Sequence, residues 1–138
     1  MSLEVVVVTP EGEAFSELAD QVVLPGSEGY FGVLEEHEKF LSPLKPGAME
    51  IHLPDGSVEW AAISDGFAEV TAKQVVVLVD ECFKAHEINL DEAQHTRDEA
   101  EQELADLLTS IETQEHRDRL ENTIVRLSAQ IDVGSRPR

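Results

Sequence analysis

Apolar and polar positions change their period near residue 84. Leu3–Val8 is a near-continuous β-branched run that reads as a buried strand, closed by the turn Thr9-Pro10-Glu11-Gly12. Gln21–Leu24 is a second short strand, closed by Pro25-Gly26. Met49–Leu53 alternates with a period of two, and Pro54-Asp55-Gly56 turns it into Val58–Ile63. Asp65-Gly66 predicts a hairpin turn between Val58–Ile63 and Phe67–Ala72, and Gln74–Asp80 is another buried strand. Short strands this closely spaced predict an antiparallel sandwich or barrel.

Beyond the seam the period becomes helical. Asn89 is placed to cap a helix whose first turn holds Asp91 and Glu92, where the helix dipole favours anions. Ala93, Ala100, Leu104, Leu107 and Ile111 recur at helical spacing, with Leu90 and Leu108 beside them. Thr109–Glu115 is polar and interrupts the pattern. Leu120, Ile124, Leu127 and Ile131 then form a narrow stripe. The reading is an αα-hairpin with facing stripes, each too thin to stand without a second surface, and a frayed end at 134–138. The expected domains are an all-β unit over 1–84, of about ten strands, and a two-helix hairpin over 85–138.

Composition sharpens this division. All seven aromatics precede residue 84, with seven of eight glycines and five of six prolines. A tail without an aromatic anchor buries little by itself and must dock. The formal charge of −19 makes nucleic acid and anionic lipid poor partners and a basic protein a good one. The single Cys82 excludes an internal disulfide and reads as a small buried hydrophobe. The N-terminus lacks a basic region followed by an apolar stretch, and no apolar run reaches the length of a membrane span.

Catalytic signals are absent from the sequence. The five histidines are scattered, and neither HxH, HExxH nor CxxC occurs, so no metal site and no enzymatic activity is expected. Gly26, Gly29 and Gly32 precede no helix and read as turn glycines rather than a phosphate loop. Ser27-Glu28-Gly29-Tyr30 reads as a loop offering a carboxylate and an aromatic ring. On the second helix, Arg119 and Arg126 share a face away from the apolar stripe, with Arg117 on its other flank. Intrahelical pairing with Glu112, Glu115, Asp118 or Glu121 and docking on an acidic partner are both open readings of that face.

One stretch is more specific. Leu24-Pro25-Gly26-Ser27-Glu28-Gly29-Tyr30-Phe31-Gly32-Val33-Leu34, followed by His37 and Leu44-Lys45-Pro46-Gly47, resembles the epsilon subunit of bacterial F-type ATP synthases. Ser64–Val70 and Leu90-Asp91-Glu92-Ala93 follow in matching order, so the resemblance spans essentially the whole chain. It implies a ten-stranded β-sandwich with a helical hairpin, and a non-catalytic subunit of the rotor's central stalk. It also implies a peripheral position on the cytoplasmic face of the plasma membrane, held there through the complex. Thr9 and His37 would face the gamma subunit, and Glu28, Gly29 and Tyr30 the c-ring. The tail, through Arg117, Arg119 and Arg126, would meet the catalytic alpha/beta head and regulate hydrolysis. Many members bind ATP through Ile/Leu-Asp-x-x-Arg-Ala in the hairpin. Here Leu90 and Asp91 match, but Gln94 and His95 replace the arginine and alanine, so ATP binding is expected to be millimolar or absent, with no cofactor. A free-standing acidic adaptor for basic proteins is the alternative.

Overall fold

The computed structural model describes residues 2–107 and 114–136. Leu108, Ile111 and most of the polar interruption lie outside them, as do Pro137 and Arg138. The strands are β1 (Leu3–Thr9), β2 (Gly12–Ala19), β3 (Gln21–Gly26), β4 (Gly29–Leu34) and β5 (Phe40–Leu44), then β6 (Gly47–His52), β7 (Val58–Ile63), β8 (Gly66–Val70), β9 (Gln74–Val79) and β10 (Cys82–Lys84). A 3-10 turn at Ala85–Glu87 leads to helices α1 (Leu90–Leu107) and α2 (Gln114–Gly134). The expected all-β unit and helical hairpin are both present.

The strands run β10-β7-β6-β3-β5-β8-β9-β1-β2, with β4 on the free side of β3. β3 pairs β6 through Gln21–Val23 but touches β5 only at Gly26 opposite Leu44, and there the sheet folds over into two layers. Between the layers lies one apolar core, including Leu3, Val5, Val7, Leu24, Met49, Ile51 and Val77, all fully buried. Alternation along each strand points every second residue inward.

Three features depart from the sequence reading. β7 and β8 are not a hairpin. β7 pairs β6 and β10, while β8 pairs β5 and β9, so Ser64-Asp65 is a corner between layers. Buried Ser64 explains it: its hydroxyl accepts the backbone N–H groups of Asp80 (3.0 Å) and Glu81 (2.9 Å), tying this corner to the β9–β10 crossing beside it. Next, the sandwich contains one parallel pair, β1 with β9. These strands are joined by a long stretch of chain, so no tight turn forces them antiparallel. Finally, Gly32 is not a turn glycine. It lies within β4, where the Gln21 side chain crosses so closely that an added Cβ would sit 2.8 Å from its Nε2.

In the tail, the Asn89 side chain accepts the Glu92 N–H at 3.0 Å, the expected N-cap. Ala100, Leu104 and Leu107 of α1 meet Leu120 and Ile124 of α2, so those stripes do face one another. A separate cluster joins α2 to the sheet, where Ala129 and Val133 cover Ala48 of β6 and Ala62 of β7 beside Trp60 and Ile88. The sheet is the second surface that the thin stripe requires.

Candidate functional site

The Ser27–Tyr30 segment is the tip of a tight hairpin rather than a free loop. Gly26 pairs with Gly29, leaving Ser27 and Glu28 as its two-residue turn. Gly29 takes φ +133°, a conformation side chains resist. Gly26 is required for space, since a Cβ there would lie 2.7 Å from the Gly29 carbonyl oxygen and 2.9 Å from the Phe31 ring. Glu28 projects into solvent. Tyr30 is half exposed, yet its hydroxyl accepts the Ala48 N–H at 3.5 Å and would lie 3.0 Å from a Cβ added at Gly47. The hairpin is thus a stiff projection with a carboxylate at its tip.

Thr9 and His37 are held at opposite ends of the β5-β8-β9-β1-β2 layer. At one end, Thr9 shapes the β1–β2 turn by accepting the Glu11 N–H at 3.3 Å, with Gly12 at φ +113°. At the other, His37 lies in the loop before β5, its ring 4.9 Å from that of Phe40. That loop is pinned to the β8–β9 turn: the Glu36 N–H donates to the Ala72 carbonyl at 2.7 Å, and Lys73 Nζ donates to Glu36 at 3.1 Å. The salt link raises the Lys73 pKa, chiefly through that hydrogen bond.

Between these ends lies an apolar outer face. Cross-strand register aligns Val8, Leu78, Phe67 and Pro43 in one row. Leu78 is 42% exposed and Phe67 50%. In the next row Val6 pairs Val76, exposed Glu69 stands between Val76 and Leu41, which is 63% exposed, and Leu18 lies opposite Glu4 at the β2 margin. Inward neighbours Val7, Val77 and Ala68 are fully buried, so at the Val8–Leu78–Phe67 row the sheet is apolar on both sides. Exposed apolar residues aligned in rows mark a contact surface.

On the opposite layer, the arginine face of α2 divides. Arg126 forms an ion pair with Glu81, at the β9–β10 crossing, and its Nε donates to Asn122 at 3.0 Å. Arg119 is exposed and lies 3.4 Å from the His116 ring nitrogen, and Arg117 is half-buried. Arg126 is therefore bound to the sandwich, an arrangement neither open reading of the face contained. Arg136, expected in a frayed end, instead lies 3.9 Å over the Trp60 ring, and the chain there still hydrogen-bonds back to α2. The available signal was Val58-Glu59-Trp60-Ala61-Ala62-Ile63, whose apolar residues on both faces mark a strand covered from outside.

Lys84 closes the edge of the sandwich where β10 approaches β2. Its Nζ lies 2.7 Å from Glu17 and 2.7 Å from Glu59, and 4.3 Å from the Phe15 ring centroid. Burial opposes the ammonium charge, but hydrogen bonds to both carboxylates outweigh it and raise the pKa. Cys82 packs beside the core, and burial pushes its thiol up to about 12.

At the start of α1, Leu90 packs against Gly134 while Asp91 and Gln94 face solvent, and His95 pairs with Glu99 on its own helix. The structure joins neither Asp91 nor Gln94 to a lysine or arginine among the described residues. Nor does it gather three or more potential metal ligands there.

A single sheet folded at β3, with stapled crossovers and a hairpin on its outer face, defines the class. The family model for the β-sandwich domain of the ATP synthase delta/epsilon chain matches residues 2–85. The ATP synthase epsilon chain of Nitratidesulfovibrio vulgaris (strain DP4) is 36% identical over 126 residues, covering 91% of this chain and 93% of that one. That of Syntrophobacter fumaroxidans is 38% identical over 121 residues, covering 88% and 90%. A chain in the Euglena gracilis mitochondrial ATP synthase superposes with a TM-score of 0.78 at 21% identity, covering 93% of this chain and 78% of that chain, a likeness of fold. This chain belongs to the ATP synthase epsilon chain family.

Proposed function

We propose that this protein is a non-catalytic rotor subunit of the central stalk of an F-type ATP synthase. The observation that carries this reading is the two-sided use of the sandwich. One outer face is covered by the chain's own hairpin, and the other presents the apolar rows around Phe67 and Leu78. The apolar face receives the gamma subunit, with Thr9 and His37 at its two ends. The Glu28-Gly29 tip, with Tyr30 behind it, meets the polar loops of the c-ring. The hairpin regulates ATP hydrolysis by leaving the sheet and reaching the alpha/beta head, where Arg117, Arg119 and Arg126 contact it. No helix of the described residues is long and apolar enough to cross a membrane. In this proposal membrane association runs through the complex, at the cytoplasmic face, as membership of the epsilon chain family suggests.

Co-purification tests the docking. The wild-type chain should retain a gamma subunit, and Phe67→Glu with Leu78→Glu should release it while the sandwich stays folded. Retention by that variant would remove the apolar face from the interface. Failure of the wild type to bind gamma would favour an acidic adaptor for basic proteins. Truncation after Ala85 tests regulation: hydrolysis by the assembled head should rise, and an unchanged rate would make the hairpin structural only.

A further inference from the structure

The apolar outer face of the β5-β8-β9-β1-β2 layer carries acid and no base. Cross-strand register sets Glu13, Val8, Leu78, Phe67 and Pro43 in its first row, and Ser16, Val6, Val76, Glu69 and Leu41 in its second. Neither row holds a lysine, arginine or histidine. Glu13 stands at the margin, whereas Glu69 stands inside: Val76 and Leu41 flank it across the sheet. Phe67 lies two residues along β8, about 7 Å away. The Glu69 side chain is exposed and joins no hydrogen bond or ion pair among the described residues. The same holds for Glu13, and for Asp65 and Asp80, which line the groove between Phe67 and Thr9. In open water these carboxylates are hydrated at no cost. Under a partner, an unpaired carboxylate loses that hydration, and a buried charge without a counter-charge opposes binding strongly. A surface that covers Phe67, Val76 and Leu41 covers Glu69 with them, so it must bring a cation to that point. A second copy of this chain fails the requirement, because two such faces would set carboxylates against carboxylates.

We propose that Glu69 is the specificity-determining residue of this face: it takes a lysine or arginine set within an apolar patch of the partner. Glu13, Asp65 and Asp80, at the margin, steer that basic surface toward the face. The inference rests on the rotor reading for the identity of the partner, the gamma subunit. The two kinds of carboxylate act on different rates. A pair at Glu69 is closed off from water by Phe67, Val76 and Leu41 once the partner is seated, so it sets how long the complex lasts. The marginal carboxylates stay wet and set how fast the complex forms.

Association and dissociation rates of the full chain with the gamma subunit test it, and Glu69→Leu gives opposite signs in the two cases. On an apolar contact without a cation, the added leucine would slow dissociation. Opposite a basic side chain it should speed dissociation about thirtyfold or more, because the partner's charge is left buried and unpaired. The triple variant Glu13→Gln, Asp65→Asn and Asp80→Asn should instead slow association about tenfold at low salt and flatten its salt dependence, with little change in dissociation. Asp55→Asn removes one charge from the β6–β7 turn in the other layer, and should leave both rates within about twofold of wild type. Glu69→Lys should abolish binding, and reversal of one gamma lysine or arginine to glutamate should restore it. Unchanged or slower dissociation of Glu69→Leu would overturn the proposal, as would failure of every single reversal to rescue Glu69→Lys. In both cases the wild type still binds gamma, so the rotor reading stands. A wild-type chain that fails to bind gamma would overturn that reading and this proposal together. A wild-type homodimer that Phe67→Glu dissolves would overturn the assignment of the face to a basic partner.

Discussion

Replacing Lys84 by methionine tests whether one cation holds the edge of the sandwich closed. Methionine keeps most of the stem's volume, but removes the ammonium from over the Phe15 ring and from between Glu17 and Glu59. Two carboxylates, each 2.7 Å from the lost nitrogen, then face each other without a counter-charge. Breaking a fully buried pair by removing one partner costs about 3–5 kcal/mol. These side chains keep 17–23% of their exposure, so solvent screens part of that and about 2–4 kcal/mol is expected. In a chain of this size the loss corresponds to a fall in Tm of about 8–16 °C. Urea unfolding at neutral pH measures it directly. The triple variant Lys84→Met, Glu17→Leu and Glu59→Leu should recover to within about 1 kcal/mol of wild type, because apolar replacement of a whole ion cluster is often neutral. The pH dependence has a definite sign. The native pKa of Lys84 is raised above the ordinary 10.5, so its stabilisation is complete below 10.5 and is lost as pH climbs through the native value. The deficit of Lys84→Met should therefore be constant at neutral pH and shrink only in strong alkali. A single variant within about 0.5 kcal/mol of wild type would refute the staple.

Gly66→Ala should destabilise the sandwich by more than about 2 kcal/mol, since its Cβ would fall 2.0 Å from the Leu78 carbonyl oxygen; thermal unfolding within 2 °C of wild type would refute this. Cys82 should react with a disulfide reagent at pH 8 at least about a hundredfold more slowly than in the unfolded chain, because a thiol pushed up to about 12 is almost wholly protonated there. Reaction at the unfolded rate would show that the thiol is not buried in solution. Gln94→Arg with His95→Ala should tighten ATP about ten- to a hundredfold by calorimetry, from millimolar or undetectable binding in the parent. Micromolar binding by the parent would show that other residues supply the missing cation.

Whatever depends on near neighbours in the chain was legible without coordinates. Six of the strands, the Asp55-Gly56 turn between β6 and β7, the Asn89 cap and the facing stripes around Ala100 and Leu120 follow from local period and turn chemistry. Cys82, read as a buried hydrophobe, is only partly buried and packs at the margin of the core. β2, β4, β5 and β10 were not read as strands. β2 and β4 carry polar residues or glycine where a half-buried strand would carry apolar ones, and β10 is three residues long. β5 is interrupted by a proline that an edge position tolerates.

Only the tertiary structure decided which distant segments meet. It set β7 and β8 in different layers, made β1 parallel to β9, and put Lys84 between Glu17 and Glu59. It also brought Arg126 to Glu81, 45 positions away, beside its bonds to Asn122 and Thr123 on its own helix, and carried Arg136 onto Trp60. A charged side chain has many possible partners of opposite sign, and nothing in its local pattern selects among them. Selection comes from the closure of the sheet and the docking of α2, which bring particular charges within a few ångströms once the core has formed. The sequence determined that this chain is a sandwich with a tail that must dock, and the fold determined where it docks and which residues hold it.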